Sequence, residues 1–191
     1  MIDHVESKRR QKTRLLFIRV FLQLLREREL DKISVTDIAN AADYGRWTFY
    51  QYFESKEAVA YAAFLHWMNQ LDIQIIAAVK DFESPRREYE SWRIIFREFE
   101  QQKLFFTRIA KLNTSIWYTY AKEFLIQQFL QHLQEGRFSL IDGVRPEIAA
   151  RLYVVAMIEM LDYWISNPET SNLDQVVDEF FIFIFKHPPQ K

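Results

Sequence analysis

The most constraining stretch of the sequence is ISVTDIANAADYGRWTFYQYFESKE, which runs from Ile33 to Glu57. It contains two short segments in which apolar residues recur at helical spacing, and a tight turn separates them. The second segment places Phe49 and Phe53 on one side and polar or aromatic side chains on the other. This pattern predicts a helix-turn-helix, a motif whose second helix enters the major groove of DNA.

The front of this second helix supplies candidate DNA contacts. Arg46 can donate two hydrogen bonds to guanine or clamp a phosphate, while Thr48 and Gln51 can bond base edges or the sugar-phosphate backbone. Aromatic side chains suit thymine methyls, deoxyribose and phosphates, and we expect the Tyr50 ring to pack in the domain while its hydroxyl reaches the backbone. The aromatic candidates are Trp47, Tyr50 and Tyr52. A surface aromatic cluster used for protein contact is the alternative.

The first helix of the motif begins with a capping signal. Ser34 stands three residues before Asp37, which is the spacing of a capping box. Free backbone N–H groups and the helix dipole favour a phosphate at such a start, so Ser34 and Thr36 are predicted phosphate contacts. Simple solvent exposure is the alternative for Thr36.

Basic residues are concentrated at the beginning of the chain. The net charge is −1, but residues 1–60 hold 11 Lys and Arg against 9 Asp and Glu. Five cations fall within seven positions: Lys8, Arg9, Arg10, Lys12 and Arg14. Next to a helix-turn-helix, such a cluster is expected to lie against phosphates, whereas a solvated first turn of a helix is the alternative.

The order of residue types carries a family resemblance. The motif residues are Ile38, Ala39 and Ala42, then Arg46, Thr48, Phe49, Tyr50, Tyr52 and Phe53, and finally Ser55, Lys56 and Glu57. Together they resemble the DNA-binding domain of the TetR (tetracycline repressor) family of bacterial transcriptional regulators. The match covers about the first sixty residues, and beyond them the resemblance lies in the number and order of helical segments.

Three positions of the motif need a physical account. Family members usually carry Gly at the first turn position and Ser at the start of the recognition helix, where this chain has Asp43 and Gly45. Asp tolerates a left-handed backbone and Gly is an acceptable N-cap, so we expect the turn to form with Gly45 at the DNA. Lys56 occupies a first helical turn, where a cation opposes the helix dipole. The resemblance implies a phosphate contact for Lys56, which resolves that conflict.

Helix breakers are scarce in the rest of the chain, with three Gly and five Pro among 191 residues. Long uninterrupted segments predict an all-α protein. The resemblance implies an N-terminal three-helix helix-turn-helix DNA-binding domain and a C-terminal helical bundle for effector binding and dimerisation. We place the first domain at residues 1–55 and the second at residues 56–191.

The last two helical segments, residues 146–166 and 173–186, are apolar around most of their circumference. A helix that is apolar on every side must be covered on every side, and one subunit can cover only one face. We therefore expect a homodimer with a four-helix interface, as the resemblance also implies, and two reading heads on a palindromic operator. The predicted interface residues are Leu152, Val155, Ile158, Val177, Phe181 and Ile184.

The resemblance further implies a small apolar or aromatic effector of unknown identity inside the C-terminal bundle. The candidate lining residues are Trp92, Phe96, Phe99, Phe106, Trp117, Tyr120, Met157, Met160, Tyr163 and Trp164. An aromatic and Met stripe at helical spacing is also what a plain core requires. Glu159 and Asp162 can meet a cationic ligand, pair with Arg151 or face solvent.

Several function classes find no support. The chain has no Cys, its four His lack metal-ligand spacing, and its three Gly are isolated, so we expect no enzyme, no metal and no cofactor. The start of the chain has no signal-peptide core, and the most apolar run, residues 152–165, is too short to span a membrane. We expect a cytoplasmic protein without a membrane partner. The competing hypothesis is a helical protein-interaction module that no longer binds DNA, with Tyr44 and Trp47 as a docking patch.

Overall fold

The computed structural model describes residues 8–110, 115–139, 143–167 and 172–186. Within these ranges all regular structure is helical, which confirms the predicted all-α class. The helices are α1 (Lys8–Glu27), α2 (Val35–Ala41), α3 (Arg46–Tyr50), α4 (Lys56–Val79), α5 (Arg86–Gln101), α6 (Lys103–Ala110), α7 (Ser115–Gln134), α8 (Pro146–Ser166) and α9 (Leu173–Phe185). A 3-10 turn, Leu30–Lys32, follows α1.

The chain separates into two compact units. Unit 1 contains Met1–Asn69 and Leu104–Thr114, and unit 2 contains Gln70–Lys103 and Ser115–Lys191. Helix α4 therefore contributes its first fourteen residues to unit 1 and the rest to unit 2. The predicted domain boundary at residue 55 separates a DNA-binding region from an effector-binding region, not two compact units. It stays a prediction.

Local signals define the start of α2 and the turn that follows it. The hydroxyl of Ser34 accepts a hydrogen bond from the Asp37 amide at 3.1 Å, and the Ser34 amide donates to the Asp37 carboxylate at 2.8 Å. The predicted capping box is therefore confirmed. Hydrogen bonds from the Ser34 side chain and amide lower the pKa of Asp37. In the turn, Asp43 adopts the expected left-handed backbone, with φ at 58°.

The core of unit 1 is centred on Phe17 of α1, which is fully buried. Its ring lies 5.4 Å from that of Phe49 on α3 and 6.3 Å from that of Phe53, both in edge-on arrangements. The rings of Tyr44 and Tyr52 lie 5.6 Å and 5.7 Å away. One side chain of α1 thus contacts aromatic rings before, within and after the second helix of the motif.

Helix α6 joins unit 1 at the C-terminal end of α1. The guanidinium of Arg108 donates to the carbonyl of Leu25 and, at 2.8 Å, to that of Arg28. These carbonyls lie at the end of α1, where backbone acceptors lack helical partners and cations are favourable. The ring of Phe106 also packs on that of Trp67 at 5.2 Å.

Unit 2 is a bundle in which α7 packs on α8, and α9 packs on both α5 and α8. Trp92 of α5 is fully buried at its centre, with the Phe180 ring 4.7 Å away and the Phe129 ring 5.4 Å away. No helix in the described part of the chain is both long enough and apolar enough to cross a membrane.

Candidate nucleic-acid interface

The five residues of α3 have an apolar back and a polar front, as the sequence predicts. Phe49 is fully buried, whereas Trp47 is 75% exposed and Tyr50 is 50% exposed. Arg46 is exposed, and no described residue forms a hydrogen bond or ion pair with it. The helix therefore presents a guanidinium and two aromatic rings to solvent, which are groups that bind phosphates and base edges.

The remaining front-side candidates lie beside this helix. Gly45 is its N-cap with an extended backbone, Thr48 is half-buried, and Gln51 is exposed directly after the last helical residue. On α2, Ser34 and Thr36 are both exposed, although the Ser34 hydroxyl is already engaged in the capping box. Their contacts with DNA remain predictions.

A basic cleft adjoins the end of α3. Its lining residues are Arg9, Arg10, Gln51 and Tyr52, and its volume is about 450 Å³. The Arg10 guanidinium lies over the Tyr52 ring at 5.9 Å, and the Arg14 guanidinium lies over the Phe53 ring at 4.7 Å. Residues 10 and 14 are one helical turn apart, so they project from the same side of α1. This brings part of the predicted basic cluster next to the recognition helix.

Lys56 has a structural role that sequence reasoning missed. Its ammonium donates to the carbonyl of Leu30 at 2.7 Å and to that of Ile33 at 2.9 Å. These two bonds fasten the start of α4 to the segment that precedes α2, and they explain why a cation is tolerated in a first helical turn. An ammonium has three N–H donors, so one is left for the predicted phosphate contact.

The candidate effector residues are distributed over different environments. Trp92, Phe96, Phe99, Met157 and Trp164 are buried in unit 2, and Met160 is half-buried. Phe106 belongs to unit 1, and the side chain of Trp117 lies outside the described residues. Tyr120 and Tyr163 are 62% and 54% exposed, so they do not line a site enclosed by one chain.

The candidate interface residues divide in a similar way. Leu152 and Val155 of α8 are exposed, and Ile158 and Ile184 are half-buried. Val177 and Phe181 are each 1% exposed, because this face of α9 packs inside the chain, with the Phe181 ring 5.3 Å from that of Tyr89. The large exposed side chains of α9 are instead Ile182 and Phe183.

Charged groups in unit 2 also differ from the sequence alternatives. Glu159 and Asp162 face solvent, and Arg151 pairs with Glu123 at 3.5 Å. Glu88 is fully buried, which sequence reasoning did not predict. Among the described residues, no group of three or more His, Asp or Glu is placed to hold a metal ion.

Two comparisons with known sequences find similar proteins. Residues 18–63 match the sequence model described as bacterial regulatory proteins, tetR family. Over 84 residues, or 42% of the chain, the sequence is 37% identical to the HTH-type transcriptional regulator EthR of Mycobacterium tuberculosis. That match spans 38% of the length of EthR.

Solved structures of similar fold cover most of this chain. A protein from Syntrophomonas wolfei assigned to the TetR family has a TM-score of 0.70 at 17% identity, covering 92% of this chain and 94% of its own. RolR in complex with resorcinol has a TM-score of 0.66 at 19% identity, covering 96% of this chain and 91% of its own. At these identities the likeness concerns the fold alone, and it includes both the helix-turn-helix and the C-terminal helical region.

Substitutions on the two faces of α3 should differ strongly in how much they lower the free energy of unfolding. Replacing Phe49 by Ala removes a fully buried ring and should lower the free energy of unfolding by about 3–5 kcal/mol. Replacing Trp47 by Ala removes an exposed ring and should change that free energy by about 0.5 kcal/mol or less. Urea unfolding followed by circular dichroism measures both. A Trp47 variant as unstable as the Phe49 variant would contradict the assignment of front and back.

Proposed function

We propose that this chain, which belongs to the TetR family of bacterial regulatory proteins through its N-terminal helix-turn-helix, is a cytoplasmic homodimeric repressor released from a palindromic operator by a small-molecule effector. The observation that carries the proposal is the outward presentation of Arg46, Trp47 and Tyr50 on a helix whose back, Phe49, is fully buried. An exposed indole beside an unpaired guanidinium gives the fold no stability, but it suits a partner that carries phosphates and flat bases.

In this proposal Arg46 and Thr48 read base edges in the major groove, with Gln51 beside them at the helix end. Arg9 and Arg10 hold phosphates at the edge of the same surface, where Tyr52 packs beneath the Arg10 guanidinium. Phosphate contacts supply affinity and register, whereas base contacts supply sequence preference. Both the phosphate-binding and the base-reading groups lie in unit 1.

The second copy is proposed to cover an exposed apolar stripe of unit 2. On α8 the stripe contains Leu152, Val155 and Tyr163, which are 55%, 45% and 54% exposed. Residues 152 and 155 are three positions apart and residues 155 and 163 are eight apart, so all three lie on one side of the helix. On α9 it contains Ile182 and Phe183, which are 46% and 73% exposed. An isologous contact between two such stripes buries them and carries two helix-turn-helix units on one dimer.

Effector release is proposed from the composition of unit 2. Its core is unusually aromatic, with Trp92 surrounded by the rings of Phe129, Phe138, Tyr153 and Phe180 at 4.7–6.3 Å. The structurally similar RolR is described in complex with resorcinol, which supports a small molecule as the signal for this fold. The effector acts by binding more tightly to the conformation that does not fit the operator.

Alanine substitutions at Arg46 and Thr48 should each weaken binding to a preferred duplex by about 1–3 kcal/mol, because each removes a base-edge donor. The duplex is selected from a random library with the wild-type protein, and affinity is measured by fluorescence anisotropy. Arg86→Ala is the matched control, since it removes an exposed arginine from unit 2 and should leave affinity unchanged.

Salt dependence separates this function from the protein-interaction alternative, which the exposed Trp47 also permits. A DNA-binding protein loses affinity with log salt at a slope of about −0.9 per phosphate contact. No retention of any duplex at low salt would contradict the proposal. Unchanged affinity in both variants would instead remove these two residues from base recognition.

Asp substitutions at Val155 and Phe183 test the subunit contact. Each places a charge in the centre of an apolar interface and should weaken dimerisation by about tenfold or more, leaving a 23.2 kDa monomer in analytical ultracentrifugation. Ile73→Asp is the control, because Ile73 is 61% exposed on α4 outside the stripe and should leave the dimer intact. Two variants that remain dimeric would place the interface elsewhere.

A further inference from the structure

An open groove runs along helix α1, and its volume is about 610 Å³. The residues that line it are Leu15, Ile18, Arg19, Leu22, Gln23, Arg26 and, from α4, His66. All of them belong to unit 1, so the groove is a feature of one compact unit. None of them is among the residues proposed to contact DNA, the effector or a second subunit.

The groove lies on a different side of α1 from the recognition helix. Its α1 residues follow one another at spacings of one, three or four positions, so they form one face of the helix. The face that packs toward α3 contains Phe17, which contacts Phe49, and Arg14, which lies over Phe53. With 3.6 residues per turn, the two faces point roughly 140° apart. A molecule in the groove therefore leaves the front of α3 free.

The apolar residues of the groove follow a heptad pattern. With Leu15 at position a, Ile18 falls at position d and Leu22 at the next a. Leu15 is 43% exposed and Leu22 is half-buried, while Ile18 is buried at the floor. A helix presents such a seam to another helix when their side chains interdigitate. The spacing therefore fits a helical partner.

The charged residues of the groove fit the same pattern. Arg19 and Arg26 are seven positions apart, and both fall at position e beside the seam. Both are exposed, and no described residue forms a hydrogen bond or an ion pair with either. Arg28 of the same unit, by contrast, pairs with Asp37 at 3.5 Å. Because e and g positions carry the ion pairs that select a partner helix, Arg19 and Arg26 favour a helix that offers carboxylates there.

The charge of the surroundings favours the same partner. No carboxylate lines the groove, and Glu27 is the one acidic residue of α1, against seven Lys and Arg. A nucleic-acid backbone would match the guanidinium groups but leave Leu15 and Leu22 uncovered. A purely apolar helix would cover the leucines but leave two guanidinium groups without a counter-charge. A helix with apolar residues at a and d and glutamates at e or g matches both.

We propose that the α1 groove is a docking site for an acidic amphipathic helix of a partner protein, which covers Leu15 and Leu22 and pairs its carboxylates with Arg19 and Arg26. The site goes beyond operator binding and effector release, because neither uses this side of α1. Docking itself does not depend on the proposed function, since it involves neither a duplex nor an effector. A helix bound here places a partner protein on unit 1 without covering α3.

Two fluorescein-labelled peptides of about three heptads serve as probes. Both carry Leu at a and d, and they differ only in having Glu or Lys at e and g, where like charges oppose self-association of either peptide. Affinity is measured by fluorescence anisotropy at low salt, without DNA. The wild-type protein should bind the Glu peptide about tenfold or more tightly than the Lys peptide, because each guanidinium gains a carboxylate.

A double variant, Arg19→Glu with Arg26→Glu, assigns this preference to its residues. It should reverse the preference and bind the Lys peptide about tenfold or more tightly than the Glu peptide, which a loss of folding does not produce. Arg86→Glu with Arg145→Glu is the matched control. It reverses two exposed arginines of unit 2 and should keep the wild-type preference.

Two further measurements place the peptide in the groove. Leu15→Ala shortens a partly exposed side chain, so circular dichroism should be unchanged while the affinity for the Glu peptide falls about threefold or more. With labelled histidine, the ring signal of His66 in the groove wall should move when the Glu peptide is added. The signal that is missing in His66→Gln assigns this resonance.

Equal affinity for the two peptides, no binding of the Glu peptide, or a double variant with the wild-type preference would each overturn the site. Flotation with phosphatidylglycerol vesicles and sedimentation of the protein alone test a lipid surface and a second copy as occupants. Either kind of binding, if the double variant abolishes it and the peptides bind without preference, would contradict the proposal.

The peptide measurements are independent of the operator measurements because no DNA is present. Their failure would leave the proposed function untouched. A protein that prefers the Glu peptide but retains no duplex would keep the docking site and lose the proposed function.

Discussion

The edge-on contact between Phe17 and Phe49 is the interaction on which the helix-turn-helix depends. Helix α3 has only five residues, which is far below the length at which an isolated helix is stable in water. It forms because Phe49 is buried against Phe17, with the rings of Tyr44, Tyr52 and Phe53 around the same centre. Since residue 47 leaves the helix on the opposite side from residue 49, that burial directs Trp47 outward, and Arg46 in the same first turn is also exposed. The local geometry of the interface is thus a consequence of core packing.

The parts of this region that could be predicted are those with short-range causes. The Ser34 and Asp37 pair specifies the start of α2, and Asp43 accepts a left-handed backbone that most residues resist. The bonds from Lys56 to the carbonyls of Leu30 and Ile33 could not be predicted, because they join residues 23 and 26 positions apart. They depend on how the helices fold back, about which the local sequence carries no direct signal.

The C-terminal region shows where helical periodicity stops being informative. Helix α9 is apolar at every position from Phe180 to Phe185, so no stripe in this part indicates which side faces the core. The sequence interpretation placed Val177 and Phe181 at a subunit contact, whereas in the structure both are buried within the chain, and Ile182 and Phe183 are exposed. Glu88 illustrates the opposite difficulty, since a glutamate in an Arg-rich helical segment suggests a solvated residue. Its burial follows from hydrogen bonds to Ser139, 51 residues away.

We propose that the surface from Ser34 to Lys56 is the part of the molecule that contacts DNA. Hydrogen–deuterium exchange with mass spectrometry, with and without a selected duplex at low salt, tests this most directly. When the duplex is bound, we expect slower exchange of backbone amides in residues 34–56 and in the first turns of α1. Unchanged exchange in residues 34–56 on a duplex that the protein demonstrably binds would contradict it.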